Sequence, residues 1–283
     1  MSKQLMIKKD NALINAAYTL TLAEQRLILL AVAEASGDME KLKHVTIHAA
    51  DYAQRFNITK WSAYEALNSA SDQLFNRYFR YQEKTKNGSF SHIKTRWVQS
   101  IGYIKDEGVI KVKFADDVLP FLCELKNRFT IYSIEAIAGL KSTYSIRLYE
   151  VLIAWKNSGK TPVISLDNLR LRLGLEAHEY ERMTDFKRRV LDAAIKQINE
   201  NSDINASYEQ QKSGRKITGF IFHLDAKEKP SHAANNIDFI SGKPDKDKTK
   251  RQKIKKSDAE KMARPGETYE DLYKRLSSKY IIA

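Results

Sequence analysis

The chain contains a single cysteine, only five prolines among 283 residues, and no long apolar run. Cys123 has no second cysteine for an intrachain disulfide. In the apolar setting Phe121-Leu122-Cys123 it reads as a small buried hydrophobe in a reducing compartment. The six histidines are scattered and offer no local metal-ligand spacing, so no metal or cofactor is expected. A bilayer-spanning helix needs about 20 consecutive apolar residues. None exists here, and Met1–Tyr18 lacks the continuous apolar core of a signal peptide. A cytoplasmic protein with no membrane partner is expected.

Enzyme signatures are equally sparse. Ser158-Gly159-Lys160-Thr161 ends like a phosphate-binding loop, but Ala154 stands where the loop's first glycine is required. The segment reads instead as a helix C-cap. No two histidines flank one apolar residue, which removes the metal site of a nicking enzyme. No nucleophile-elbow glycines surround a serine. The expectation is a protein without catalytic activity.

What is abundant is positive charge and apolar bulk. Lys and Arg number 48 against 35 Asp and Glu, a formal net charge of +13. Such a balance favours a polyanionic partner. Hydrophobic residues make up 42%, with 14 Tyr and 11 Phe, enough for true cores.

Along the chain one order of elements occurs twice. Thr21-Leu22-Ala23-Glu24 has the form of a capping box and opens a helix that closes at Gly37. A β-rich stretch at His44–Ile47, a short helix over Ala49–Phe56 and a longer one over Ser62–Phe79 follow. Tyr78–Lys84, Ser91–Ile104 and Val109–Phe114 then read as a three-stranded antiparallel meander. The second pass is an amphipathic helix over Ser142–Trp155, a strand at Pro162–Ser165 and a short helix over Leu166–Leu173 closed by Gly174. A long helix over Thr184–Asn199 and a hairpin of Ile204–Gln210 with Ile217–Leu224 complete it.

Helix, strand, short helix, long helix and hairpin is the order of a winged helix. The fold class is therefore α+β, two tandem winged-helix domains spanning 11–125 and 130–226. Residues 227–283 form a charged linker and basic tail in which Lys243–Lys256 holds eight basic and two acidic residues. Thr268–Tyr280 could add a terminal helix.

On the helix over Thr184–Asn199, Arg188, Arg189, Asp192, Lys196 and Asn199, with Lys187 beside them, fall opposite the apolar stripe. Arg and Lys can reach guanine in the major groove, Asn adenine and Asp cytosine. The plainer alternative is a solvated face on which Arg188 pairs with Asp192, and Asp192 with Lys196, at i,i+4. Position favours DNA, because a hairpin tipped with Lys212, Arg215 and Lys216 follows. At the start of the Ser142–Trp155 helix, Ser142, Thr143 and Tyr144 could cap the helix or meet a phosphate, and Arg147 could pair with Glu150 or Glu124.

Four stretches carry a family resemblance: Asn11–Ala33, Lys141–Leu152, Phe186–Ile204 and Ser213–Phe222. Together, and in this order, they resemble the initiator replication proteins of iteron-carrying, theta-replicating bacterial plasmids. Asp192-Ala193 departs from the Asp-Pro of many relatives, which touches helix geometry more than contacts. The resemblance implies that the second winged helix reads a directly repeated iteron and that the first adds DNA contacts and forms a dimer interface. It places Lys187, Arg188, Arg189, Asp192 and Lys196 on the reading helix, and Arg215 and Lys216 on the wing. It further implies recruitment of a host initiator and replicative helicase, and repression of the chain's own promoter by dimers. In the first domain, Lys60 on the long helix and Lys84 and Lys86 on the hairpin are the candidate contacts. A tandem winged-helix transcription regulator without a replication role is the alternative.

Overall fold

A computed structural model describes residues 4–85, 87–123, 129–227, 252–254 and 280–282. The chain opens with a strand absent from the sequence-based expectation, β1 (Met6–Asp10). Its alternation is hidden because the inward positions are Ile7 and a lysine, Lys9, which is buried at 2% exposure. Then come the short α1 (Asn11–Ile14), α2 (Leu22–Ala35) and α3 (Met39–Lys43). The capping box on α2 forms as expected, with Thr21 and Glu24 bonding each other's backbone N–H groups.

The first winged helix consists of β2 (Val45–His48), α4 (Ala49–Phe56), α5 (Lys60–Leu74) and four further strands. These are β3 (Tyr78–Lys84), β4 (Phe90–Arg96), β5 (Val98–Ile104) and β6 (Val109–Phe114). The expected meander is corrected here. β3 and β4 form their own two-stranded ladder, to which Ala17 adds an isolated bridge at Arg80, whereas β5 joins a separate sheet in the order β2-β6-β5. The break falls at Trp97, which is fully buried and packs against Phe79 and Tyr18. Burying so large a side chain outweighs continuing one strand through it. The long helix also stops at Leu74, short of the expected Phe79, because Phe79 belongs to the β3–β4 ladder opposite Thr95.

After α6 (Leu119–Leu122), strand β7 (Phe129–Ser133) pairs with β1, and α7 (Glu135–Ala138) leads into α8 (Thr143–Ile153). The second winged helix follows with β8 (Ile164–Ser165) and α9 (Leu166–Arg172). A helical segment over 183–201 comes next, then β9 (Ile204–Ser213) and β10 (Lys216–Ala226), in a sheet ordered β8-β10-β9.

Both winged helices belong to one compact unit, Met1–Lys229, with a continuous apolar core. Through its middle runs a buried ionic network. Lys9 Nζ donates to Glu150 Oε1 and to the Tyr18 hydroxyl, each at 2.8 Å. Arg147 meets Glu150 Oε2 at 3.0 Å and donates to the carbonyls of Ile14, Ala16 and Arg172. Burial pushes the Glu150 carboxyl up, but Lys9 and Arg147, with hydrogen bonds from Lys9 and Tyr132, outweigh it and hold it below the usual range. Arg147 thus pairs with Glu150, one of the two acids anticipated for it. It also ties the N-terminal strap to α9.

Cys123 is half-buried, its thiol 3.2 Å from the Leu119 carbonyl. A second unit, Pro230–Ala283, pairs Gln252–Ile254 in parallel with Tyr280–Ile282. The expected helix from Thr268 falls outside the described residues.

Candidate nucleic-acid interface

The interface is built on the turn between α9 and the helix that follows. Gly174 adopts φ +75°, and a Cβ there would lie 2.4 Å from the Tyr18 carbonyl oxygen, so the turn can approach the N-terminal strap only with glycine. Arg170 then gathers the loop. Its guanidinium donates to the carbonyls of Tyr180 and Glu176, each at 3.1 Å, and to that of Glu179, and it lies 5.5 Å from the Phe186 ring centroid. One side chain therefore sets the angle at which the next helix leaves the turn. Nothing in the sequence marks Arg170 for this, because its acceptors are backbone oxygens.

The helix itself is not uniform. Met183–Asp185 and Ala193–Asn201 are α-helical, but Phe186–Asp192 is wound as a π-helix. The wider turn changes which residues share a face. The i,i+4 pairs anticipated from α geometry, Arg188 with Asp192 and Asp192 with Lys196, are not made. Asp185 instead takes Arg188 at 3.2 Å and Arg189 at 3.7 Å, while Lys196 lies 3.9 Å from Glu200. These pairs are loose: the Arg188, Arg189 and Lys196 side chains remain 71%, 61% and 75% exposed. Such contacts contribute roughly 0–1 kcal/mol and release their cations readily.

Phe186, Val190, Leu191, Ala194 and Ile198 bury the opposite side, so the outer face presents Arg188, Arg189, Asp192 and Lys196 exposed, with Lys187 half-buried beside them. Asn199 does not belong with them. It is half-buried, and its amide is occupied at both ends by the backbone of Ala206, at 2.9 and 2.6 Å. The helix there packs against β9, so a side chain placed outward by α periodicity is turned onto a strand.

The wing is joined to the helix through Tyr208. Its hydroxyl donates to Asp192, its ring lies 5.9 Å from Lys187 Nζ, and its edge meets Phe220. Burial and Asp192 push the Tyr208 hydroxyl well above its ordinary value, so it stays a donor. Beyond it, Lys212, Arg215 and Lys216 are exposed around Gly214, whose φ of +60° closes the hairpin. All three expected wing cations therefore stand at the tip.

At the head of α8, Ser142 is the cap: its hydroxyl accepts from Tyr144 N at 3.2 Å. Thr143 is half-buried. Tyr144 is also half-buried, edge-on to Tyr180, and burial with Glu179 pushes its hydroxyl up. Tyr144 thereby packs on the turn that carries Glu179 and Tyr180. In the first winged helix, Lys60 is exposed at the start of α5, next to Trp61 at 72% exposure. Lys84 ends β3, on the ribbon that stands outside the β2-β6-β5 sheet, and Lys86 lies outside the described residues.

Fold and site together define a tandem winged-helix protein whose second module carries a cationic exposed helix and a cationic wing. Its family follows from two matches: the family described as "Initiator Replication protein, WH1" covers residues 6–153, and "Initiator Rep protein, WH2" covers 165–224. The chain belongs to the initiator replication proteins. The first match runs to residue 153 and so counts α8 with the first domain. An uncharacterised 27.6 kDa Escherichia coli protein is 29% identical over 81% of this chain and 98% of its own length. An Escherichia coli "Replication initiation protein" is 29% identical over 78% of this chain and 70% of its own. Among solved structures, a Pi initiator protein in complex with iteron DNA is similar in fold, with a TM-score of 0.66 at 24% identity, over 81% of this chain and 100% of that one.

Proposed function

We propose that this chain is a non-enzymatic plasmid replication initiator that binds directly repeated iterons as duplex DNA at its origin. The observation carrying the reading is one outer face, Lys187, Arg188, Arg189, Asp192 and Lys196, on the helix after a clamped turn. A helix that presents such a face can enter the major groove, where these groups match base-edge donors and acceptors. Lys212, Arg215 and Lys216 lie over the adjoining backbone and supply salt-dependent affinity. Family membership and the similar Pi initiator fold, solved with iteron DNA, support the same assignment.

In this reading monomers bind the iterons, open the neighbouring duplex and recruit a host initiator and replicative helicase in the bacterial cytoplasm. Dimers formed through the first winged helix repress the chain's own promoter. Footprinting on the DNA flanking the gene, at two salt concentrations, tests the core of it. Protected direct repeats one or two helical turns apart are expected. Protection of a lone inverted repeat would point to a transcription regulator, and featureless salt-sensitive coverage would remove sequence-specific binding altogether.

A further inference from the structure

Away from the reading helix and the wing, the seam between the two winged helices is open. Three clefts of about 1070, 630 and 450 Å³ follow one another along it. The first two share Asn15 and Phe121 as wall, and the last two share Arg80 and Leu171, so they form one trench. None of the residues assigned to the reading face or the wing tip lines it.

Its floor carries apolar side chains that the fold leaves uncovered: Val163 at 53%, Leu171 at 47% and Trp155 at 37% exposure. Neighbouring apolar groups rimmed by polar ones mark interaction surfaces more often than solvent-facing faces. The rim carries both signs: Asp10, which also caps α1, lines the first cleft, and Glu176, beside His178, lines the last. Arg77 is bound to Glu24. The remaining cations, Arg172 in the largest cleft and Arg80 where the other two meet, have no carboxylate partner among the described residues. Arg80 is stacked toward the Tyr78 ring at 5.3 Å. Burial and the charge of Arg147 depress the Arg172 guanidinium below its ordinary value, so an anion placed beside it is stabilised.

We infer that this trench is a docking site for an acidic amphipathic segment of a partner protein, its apolar side chains on Trp155, Val163 and Leu171 and its carboxylates on Arg172 and Arg80. Bidentate carboxylate recognition suits both arginines, and an aromatic and aliphatic floor supplies the desolvated anchor points that peptide grooves use. A long duplex would meet the same cations but gains nothing from the apolar floor. That contrast favours the peptide.

Random peptides of about a dozen residues, displayed on phage and selected on the immobilised full-length chain, provide the probe. Enriched sequences should interleave Asp or Glu with Leu, Phe or Trp. A labelled peptide of that sequence should bind at least about tenfold more weakly to Arg172→Glu and to Arg80→Glu, with the neutral Arg172→Gln intermediate. Both glutamate variants should keep the thermal midpoint and origin-DNA affinity of the parent chain, which separates this site from the reading helix. The inference is overturned if selection yields no acidic peptide, or if these substitutions leave peptide binding unchanged. It is equally overturned if they lower DNA affinity instead, which would make the trench a nucleic-acid contact, or if the selected peptide acts only by dissociating dimers, which would make it a seat for a second copy.

Discussion

Tyr208 on the first strand of the wing donates its hydroxyl to Asp192 on the reading helix at 2.6 Å, across the joint between the two parts of the interface. This bond ties the wing to the helix. The Tyr208→Phe variant should lose about 1 kcal/mol of stability by urea unfolding, since one hydrogen bond is removed and the ring still packs on Phe220. Discrimination between iteron and unrelated DNA should fall while salt-dependent affinity persists. Unchanged discrimination in competition binding would uncouple the wing from the helix.

Arg188 and Arg189 share Asp185 in the unbound chain. Replacing either by Ala should weaken iteron binding by about 1–3 kcal/mol if it reads a base. Asp185→Asn should do the reverse and tighten binding slightly, because both guanidinia are released. Titrations at fixed salt decide this, and two neutral arginine variants would remove the reading face.

Arg170 touches no proposed ligand, yet its loss should abolish most iteron affinity. Arg170→Ala leaves the Glu176, Glu179 and Tyr180 carbonyls without their donor; these sit in a partly exposed loop where water can replace it, so the loss of stability stays at about 1 kcal/mol while the loop loses its clamp. Arg170→Lys should fail almost as badly, since an ammonium cannot span the same oxygens. The check is iteron affinity beside thermal stability: a much larger fall in affinity than in stability is expected, and a parallel fall would make Arg170 a plain core residue.

The buried Glu150 gives the stability a definite acid limb. Its carboxyl is held below the ordinary value of 4.5, so its contribution is fully present above that pH and is lost as pH falls through the depressed folded value. Glu150→Gln should flatten this limb of the urea-unfolding profile. At neutral pH it should also cost about 3–5 kcal/mol, by leaving Lys9 and Arg147 buried without their counter-charge.

Wing charge should appear as salt dependence. Lys212→Ala and Lys216→Ala are each expected to reduce the slope of log affinity against log salt by about 1, with no change in which sequence is preferred. A changed preference would mean that the wing reads bases.

Much of this architecture was legible from periodicity and punctuation. The capping box at Thr21, the short helices closing before Asn57 and at Gly174, and the hairpin around Gly214 follow from local backbone preferences that hold in any context. The cationic face from Lys187 to Lys196 and the wing tip were legible for the same reason: exposed charges opposite a buried stripe need no tertiary information.

What the tertiary structure decided lies where long-range partners override local pattern. Lys9 reads as solvent-facing, yet it is buried because Glu150, distant in sequence, meets it. Trp97 sits inside an apparent strand, yet its burial breaks that strand into two sheets. Asn199 satisfies the outward rule of an α-helix, yet the π-wound turn before it and the strand beside it turn its amide onto Ala206. The sequence by itself determined the element order and the sign of the surface charge, which depend on neighbours along the chain. Pairing, register and the open clefts along the seam depend on neighbours in space, and only the folded chain brings those together.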